Sequence, residues 1–114
     1  YSQKLRSKIK EVFQIQKEQV AQFNAIKNQH DYPEIICTDL NNNAFSNSYL
    51  NLKQGRQDAF LEKGEGFGAT YDFIYFPLRI DFILTSPKLN VLSYKTHAIK
   101  LSDHKPISAT IQWP

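Results

Sequence analysis

Between Ser2 and about Asn28 the apolar residues Leu5, Ile9, Val12, Phe13, Val20, Phe23 and Ile26 recur at steps of three and four, or sums of them. Lys4, Arg6, Lys8, Lys10, Glu11, Lys17 and Glu18 fill most of the other faces. An α-helix gathers such a spacing into one apolar stripe, which predicts an amphipathic helix roughly 40 Å long at about 1.5 Å per residue. The stripe calls for a sheet or another helix to cover it. Asn28 to Pro33 breaks the period, since Pro33 disfavours helical backbone at Tyr32. Glu34-Ile35-Ile36-Cys37-Thr38 is then a short continuous apolar run, the pattern of a strand buried on both faces.

Ala44 to Leu52 and Gln57 to Lys63 read as two short helical segments parted by Gly55, with Phe45, Tyr49, Leu50, Phe60 and Leu61 closing one end of the core. Lys-Gly-Glu-Gly-Phe-Gly over residues 63–68 is a turn and not a phosphate-cradling loop, because no strand precedes it and no Lys-Ser/Thr ends it. Thr70 to Ile74 reads as a short strand leading to Phe76 and Pro77. The clearest strand is Arg79 to Thr85, where alternation puts Arg79, Asp81, Ile83 and Thr85 on one face and Ile80, Phe82 and Leu84 on the other. Val91 to Ile99 and Lys105 to Trp113 complete the strands. A helix, a strand, an irregular helical region and three or four further strands make the class α+β or a layered α/β sandwich.

Composition narrows this picture only a little. With 114 residues the chain has room for one small domain, and 41% hydrophobic against 22% charged residues fits a soluble, folded one. Fourteen Lys and Arg against eleven Asp and Glu leave a net charge of +3, compatible with a polyanionic ligand but ordinary for any protein surface. The single Cys37 excludes an intrachain disulfide and reads as a small buried hydrophobe. No apolar stretch approaches the roughly 20 residues of a membrane span, and no targeting signal indicates a location. The absence of Met and the start at Tyr1 suggest a piece of a longer chain, with N-terminal processing as the alternative.

Candidate chemistry gathers at three junctions. Asp39-Leu40-Asn41 follows the first strand, whose end would fix a carboxylate at the mouth of a loop; an Asn-rich turn with local hydrogen bonds accounts for the same residues. Asp81 lies within a hydrophobic strand, where burying it is costly unless it is paired. It either forms a surface pair with Arg79 on an edge strand or orients a histidine. Ser102-Asp103-His104-Lys105-Pro106 sets an acid beside an imidazole just before the last strand, although a solvent-exposed turn tolerates the same five residues. His30 and His97 read as solvated and structural respectively, with no partner indicated by spacing.

Taken together and in order, Thr38-Asp39-Leu40-Asn41, Arg79-Ile80-Asp81-Phe82-Ile83-Leu84 and Ser102-Asp103-His104-Lys105-Pro106, with Asp58-Ala59-Phe60 and Gly68-Ala69-Thr70 between them, resemble the C-terminal part of the endonuclease/exonuclease/phosphatase (DNase I-like) superfamily. The resemblance covers essentially the whole chain. It implies half of a four-layer α/β/β/α sandwich, with the long N-terminal helix packed on a mostly antiparallel sheet. Residues 1–114 would be a single domain, the C-terminal fragment of a longer one that lacks the N-terminal half. It further implies a divalent-metal-dependent phosphoric ester hydrolase using Mg²⁺ or Mn²⁺.

In that reading Asp39 aligns the attacking water and Asn41 holds it or a phosphate oxygen. His104 contacts the scissile phosphate, Asp81 orients its ring, and Asp103 lies near the metal or its water shell, in a site whose main Glu ligand is absent. Arg79 and Ser102 are supporting residues. Thr38 stands where the family usually has Gly. The implied partners are a phosphate ester (nucleic acid, phospholipid or inositol phosphate) and a second copy meeting an exposed sheet face. A non-catalytic binding or interaction module that keeps the motifs structurally is the alternative.

Overall fold

A computed structural model of the chain describes residues 2–42, 44–73, 76–99 and 101–114. Asn43 in the loop after Asp39 and Ile74 at the end of the strand expected from Thr70 lie outside the described residues. The chain divides into two compact units, Tyr1–Tyr32 and Pro33–Pro114.

The first unit is helix α1, Ser2–Lys27, ending within a residue of where its period fails. Only Val20 is buried among its described residues. Leu5, Ile9, Val12, Phe13, Phe23 and Ile26 keep between 43% and 59% of their surface accessible, so the stripe is formed but remains largely open.

In the second unit, β1 (Ile35–Asp39), α2 (Asn47–Lys53), β2 (Gln57–Asp58), α3 (Ala59–Lys63), β3 (Tyr71–Phe73), β4 (Phe76–Leu78), β5 (Asp81–Thr85), β6 (Asn90–Thr96) and β7 (Ile107–Gln112) follow one another. All described strand pairings are antiparallel. β5 is the middle strand of the order β1-β5-β2 and is buried on both faces, with Phe82 and Leu84 all but inaccessible. Burying a side chain of that size contributes about 1.5–3 kcal/mol. β3 and β4 pair as one hairpin, and β6 and β7 as another.

β1 corrects the sequence reading. It is an edge strand, Ile36 faces the core, and Ile35 and Cys37 are exposed. A run of apolar residues predicts burial of both faces, but this strand has one face packed and the other open, and Cys37 falls on the open one.

The helical region is also divided differently. Gln57 and Asp58 form a short strand on β5 instead of opening a helix, and Gly55 turns the chain with φ 73°. Of the five residues expected to close the core only Tyr49 is buried, and Phe60 is partly so. Phe45, Leu50 and Leu61 are exposed, because α2 and α3 each offer less than two turns and bury a single side, through Tyr49 and Leu52 in one and Ala59 in the other. They border an apolar groove of about 1000 Å³ that also includes Phe67 and Phe76. Gly68, at φ +68°, passes so close to Phe60 that an added Cβ would sit 2.3 Å from its ring.

The hairpin β6–β7 packs Val91, Tyr94, Ile107, Ala109 and Ile111 on Ala59 and Ile83. An irregularity between Val91 and Ser93 shifts the alternation by one residue, so Tyr94 and not Ser93 shares the face of Val91, and Leu92 stays exposed.

Asp58 organises the interior. Its carboxylate caps α3 at the Phe60 N–H (3.0 Å), accepts from the Tyr49 hydroxyl (2.6 Å) and pairs with Arg79 at 2.8 Å. The guanidinium lies over the rings of Phe60, Phe82 and Tyr49, at 4.6, 4.8 and 5.7 Å from their centroids. The Tyr49 hydroxyl is pushed up to about 12, by burial first and then by its bond to Asp58, so it stays a donor throughout the neutral range. Arg79 therefore pairs with Asp58 and not with Asp81.

Candidate active site

Asp39 closes β1 and Asp81 opens β5, and the antiparallel register sets them directly opposite each other. Two carboxylates facing each other across a ladder repel, an arrangement that is unfavourable without a cation or donor between them. His104 supplies one: its Nδ1 is 2.7 Å from Asp81 Oδ2, and its Nε2 is 3.7 Å from Asp39 Oδ2. An ionised carboxylate only accepts, so Nδ1 donates the shared proton and Nε2 is the ring nitrogen turned toward Asp39. The imidazole is held above its ordinary value, chiefly by the hydrogen bond to Asp81, with burial opposing and the charges of Asp81, Asp39 and Asp103 adding to the rise.

The first corner is shaped by a local turn. Asn41 takes φ 47°, a left-handed conformation that Asn tolerates better than most residues, and its N–H donates to Asp39 Oδ1 at 2.8 Å. One carboxylate oxygen of Asp39 is thereby engaged and the other is left toward His104. The Leu40 N–H donates to the Ile80 carbonyl at 3.0 Å, extending the β1–β5 pairing past Asp39.

The third corner is the loop before β7. The Ser102 hydroxyl accepts from the His104 N–H (3.0 Å) and donates to the His104 carbonyl (3.2 Å), which fixes the backbone under the imidazole. Tyr71 forms an isolated bridge to His104 and lays its ring 5.1 Å from the imidazole. Asp103 is exposed on the same loop, outside the Asp39–Asp81–His104 group, and lines a cleft of about 420 Å³ with Tyr71, Asp72, Ser102 and Lys105. His97 lies apart, its Nε2 2.8 Å from the Ser108 hydroxyl.

Asp39, Asp81 and His104 thus meet from three separate stretches of chain, with one ligand atom from each lying within 4.8 Å of the others. Arg79 stays in the Asp58 network, and Asn41 and Asp103 flank the group. Sequence reasoning assigned no role to Thr70 or Tyr71, although Gly68-Ala69-Thr70 stood among the motifs; nothing in their spacing indicates that they touch the other corners.

As ligands, two carboxylates suit a hard divalent ion, and Mg²⁺ often takes only one or two protein carboxylates with water or substrate oxygens filling its other positions. The donor chemistry of Asp39 and Asp81 fits such an ion as part of its shell. The imidazole, engaged through Nδ1, is better placed as a hydrogen-bonding group beside it.

Several solved structures share the fold, three of which illustrate it. A mannosyl-6-phosphatase from Bacteroides thetaiotaomicron aligns with a TM-score of 0.63 at 18% identity, over 90% of this chain and 44% of its own. An endonuclease/exonuclease/phosphatase family protein from the same organism aligns at 0.62 and 20% identity, over 88% and 42%. An endonuclease/exonuclease/phosphatase family protein from Leptotrichia buccalis aligns at 0.63 and 26% identity, over 80% and 40%. The chain therefore spans less than half the length of each of these structures. No curated protein matches. The profile of the Endonuclease/Exonuclease/phosphatase family matches residues 11–104, a span that contains Asp39, Asp81 and His104, and the chain belongs to that family.

Proposed function

We propose that this chain is the C-terminal half of a divalent-metal-dependent phosphoric ester hydrolase, of phosphodiesterase or endonuclease-like type, and that alone it is inactive or nearly so. The observation that carries this reading is the Asp81–His104 hydrogen bond, which turns ring nitrogen Nε2 toward Asp39 at 3.7 Å, beyond hydrogen-bond distance. An imidazole made more basic by a carboxylate can, in its protonated form, donate to a phosphate oxygen and offset the charge that develops there. Asp39 positions the attacking water, and Asn41 holds that water or a second phosphate oxygen. Asp81 keeps the ring oriented, while Ser102 keeps its backbone in place. A Mg²⁺ or Mn²⁺ ion near Asp39, with Asp103 in or beside its water shell, would supply Lewis acidity.

The span of less than half of each structural neighbour supports a longer parent protein. The substrate is a phosphate ester; nucleic acid, phospholipid and inositol phosphate all present the group this corner would engage, and the neighbour named mannosyl-6-phosphatase keeps sugar phosphates in the same class. We also infer self-association of the isolated chain through the open face of β1, where Ile35 and Cys37 are exposed.

The test is Mg²⁺-stimulated hydrolysis of a generic aryl phosphodiester by the longer protein. His104→Ala is expected to lower kcat by about 10²–10³-fold, the range for losing one aligned transition-state donor. Hydrolysis that is absent, or indifferent to His104→Ala, would favour a non-catalytic module.

A further inference from the structure

Thr70 is completely buried, yet it lies between the two strands of chain that carry Asp81 and His104. Its hydroxyl oxygen accepts two backbone N–H groups, from Ile80 at 3.1 Å and from Asp81 at 3.2 Å. Its carbonyl accepts the Lys105 N–H at 2.7 Å, next to His104, and its own N–H donates to the Leu78 carbonyl at 2.9 Å. Ile80 in turn accepts from Leu40, the neighbour of Asp39, at 3.0 Å. One side chain and its peptide groups thus meet the backbone at Asp81 and beside His104, and reach the Asp39 corner through Ile80.

The two N–H groups belong to residues just where β5 begins, at the last rung of its pairing with β1. A side-chain acceptor there takes the place of a strand partner and fixes the direction in which the Asp81 carboxylate leaves the sheet. Tyr71, the next residue, is bridged to His104 and packs on its ring, so the same segment controls both ends of the Asp81–His104 bond.

We propose that Thr70 is a positioning residue that sets the Asp81–His104 geometry, holding Asp81 through its hydroxyl and the His104 loop through its carbonyl. Its importance for catalysis rests on the hydrolase reading above, whereas the geometric claim can be tested without any turnover. A tightly held Nδ1–H gives an imidazole proton signal in NMR that exchanges slowly with water. In the full chain, Thr70→Val keeps the shape and removes the acceptor, and it is expected to accelerate exchange of that proton at least about tenfold. Thr70→Ser, which restores the hydroxyl, is expected to return the signal toward the unsubstituted rate. Val91→Ala, in the β6–β7 core, should lower stability while leaving the signal in place, which separates positioning from general loosening.

A folded Thr70→Val chain with an unchanged imidazole signal would overturn the proposal. Should Thr70→Val fail to fold, the Ile80 and Asp81 amides of the unsubstituted chain decide it: strong protection from exchange, retained in Thr70→Ser, supports the clamp, and exchange at loop rates refutes it. In the longer protein the same substitution is expected to lower kcat by about 10²-fold with KM nearly constant. Absence of hydrolysis in the unsubstituted protein would count against the hydrolase reading alone, since the imidazole measurement stands without it.

Discussion

His104 links a local electrostatic problem to the chemistry. Asp39 and Asp81 face each other across the ladder, and the imidazole between them is held more basic than usual by the bond to Asp81. A group whose folded value is raised contributes stability that is fully present below its unfolded value, near 6.5, and is lost as pH rises through the folded value. The stability difference between the unsubstituted chain and His104→Gln is therefore expected to be largest on the acid side of 6.5 and to shrink above it, as followed by urea unfolding at several pH values. His104 keeps 30% of its side chain accessible, so solvent limits the size of the effect. A difference that grows with pH would contradict this assignment of the proton.

Among the elements, β5 was the most legible and β1 the least. Alternation in Arg79 to Thr85 set Ile80, Phe82 and Leu84 on one face, and that face is buried. It could not show that Ile83 and Thr85 would be buried as well, because Ile83 is covered by Ala59 of α3 and the β6–β7 hairpin, and the Thr85 hydroxyl is held by Gln57 and the Ser86 carbonyl. The choice between an Arg79–Asp81 pair and separate partners was likewise open until Asp58 and His104 were placed. Asp58 caps α3 while holding Arg79 and Tyr49, and its side chain is inaccessible. Removing one partner of a buried pair costs about 3–5 kcal/mol, so Asp58→Ala is expected to destabilise the second unit by that order, read from chemical denaturation. A loss below about 1 kcal/mol, typical of an exposed pair, would show that the network matters little.

For the whole molecule the notable feature is how much apolar surface stays open. In the first unit the stripe residues of α1 are exposed, and in the second Ile35 and Cys37 of β1 and the groove bordered by Phe45, Phe67 and Phe76 are exposed as well, although each described strand has an antiparallel partner. No helix among the described residues is long and apolar enough to cross a membrane. Self-association through the β1 face is expected to appear in light scattering as a mass that rises with concentration, and Ile35→Lys together with Cys37→Lys should suppress it. A constant monomer mass of 13.2 kDa at high concentration would exclude that interface.

The linear sequence by itself determined what depends on neighbours along the chain: the period and ends of α1, the alternation of β5 and the motifs of the endonuclease/exonuclease/phosphatase family. These follow from backbone sterics and the spacing of apolar side chains, which act over a few residues. Only the tertiary structure decided that β1 lies at an edge with Cys37 outside, that Asp39 is opposite Asp81, that His104 bridges them from a loop 23 residues beyond Asp81, and that Thr70 fastens their backbones together. Those relations depend on which strand pairs with which and on the buried donors left to be satisfied once they have paired. No local pattern encodes either.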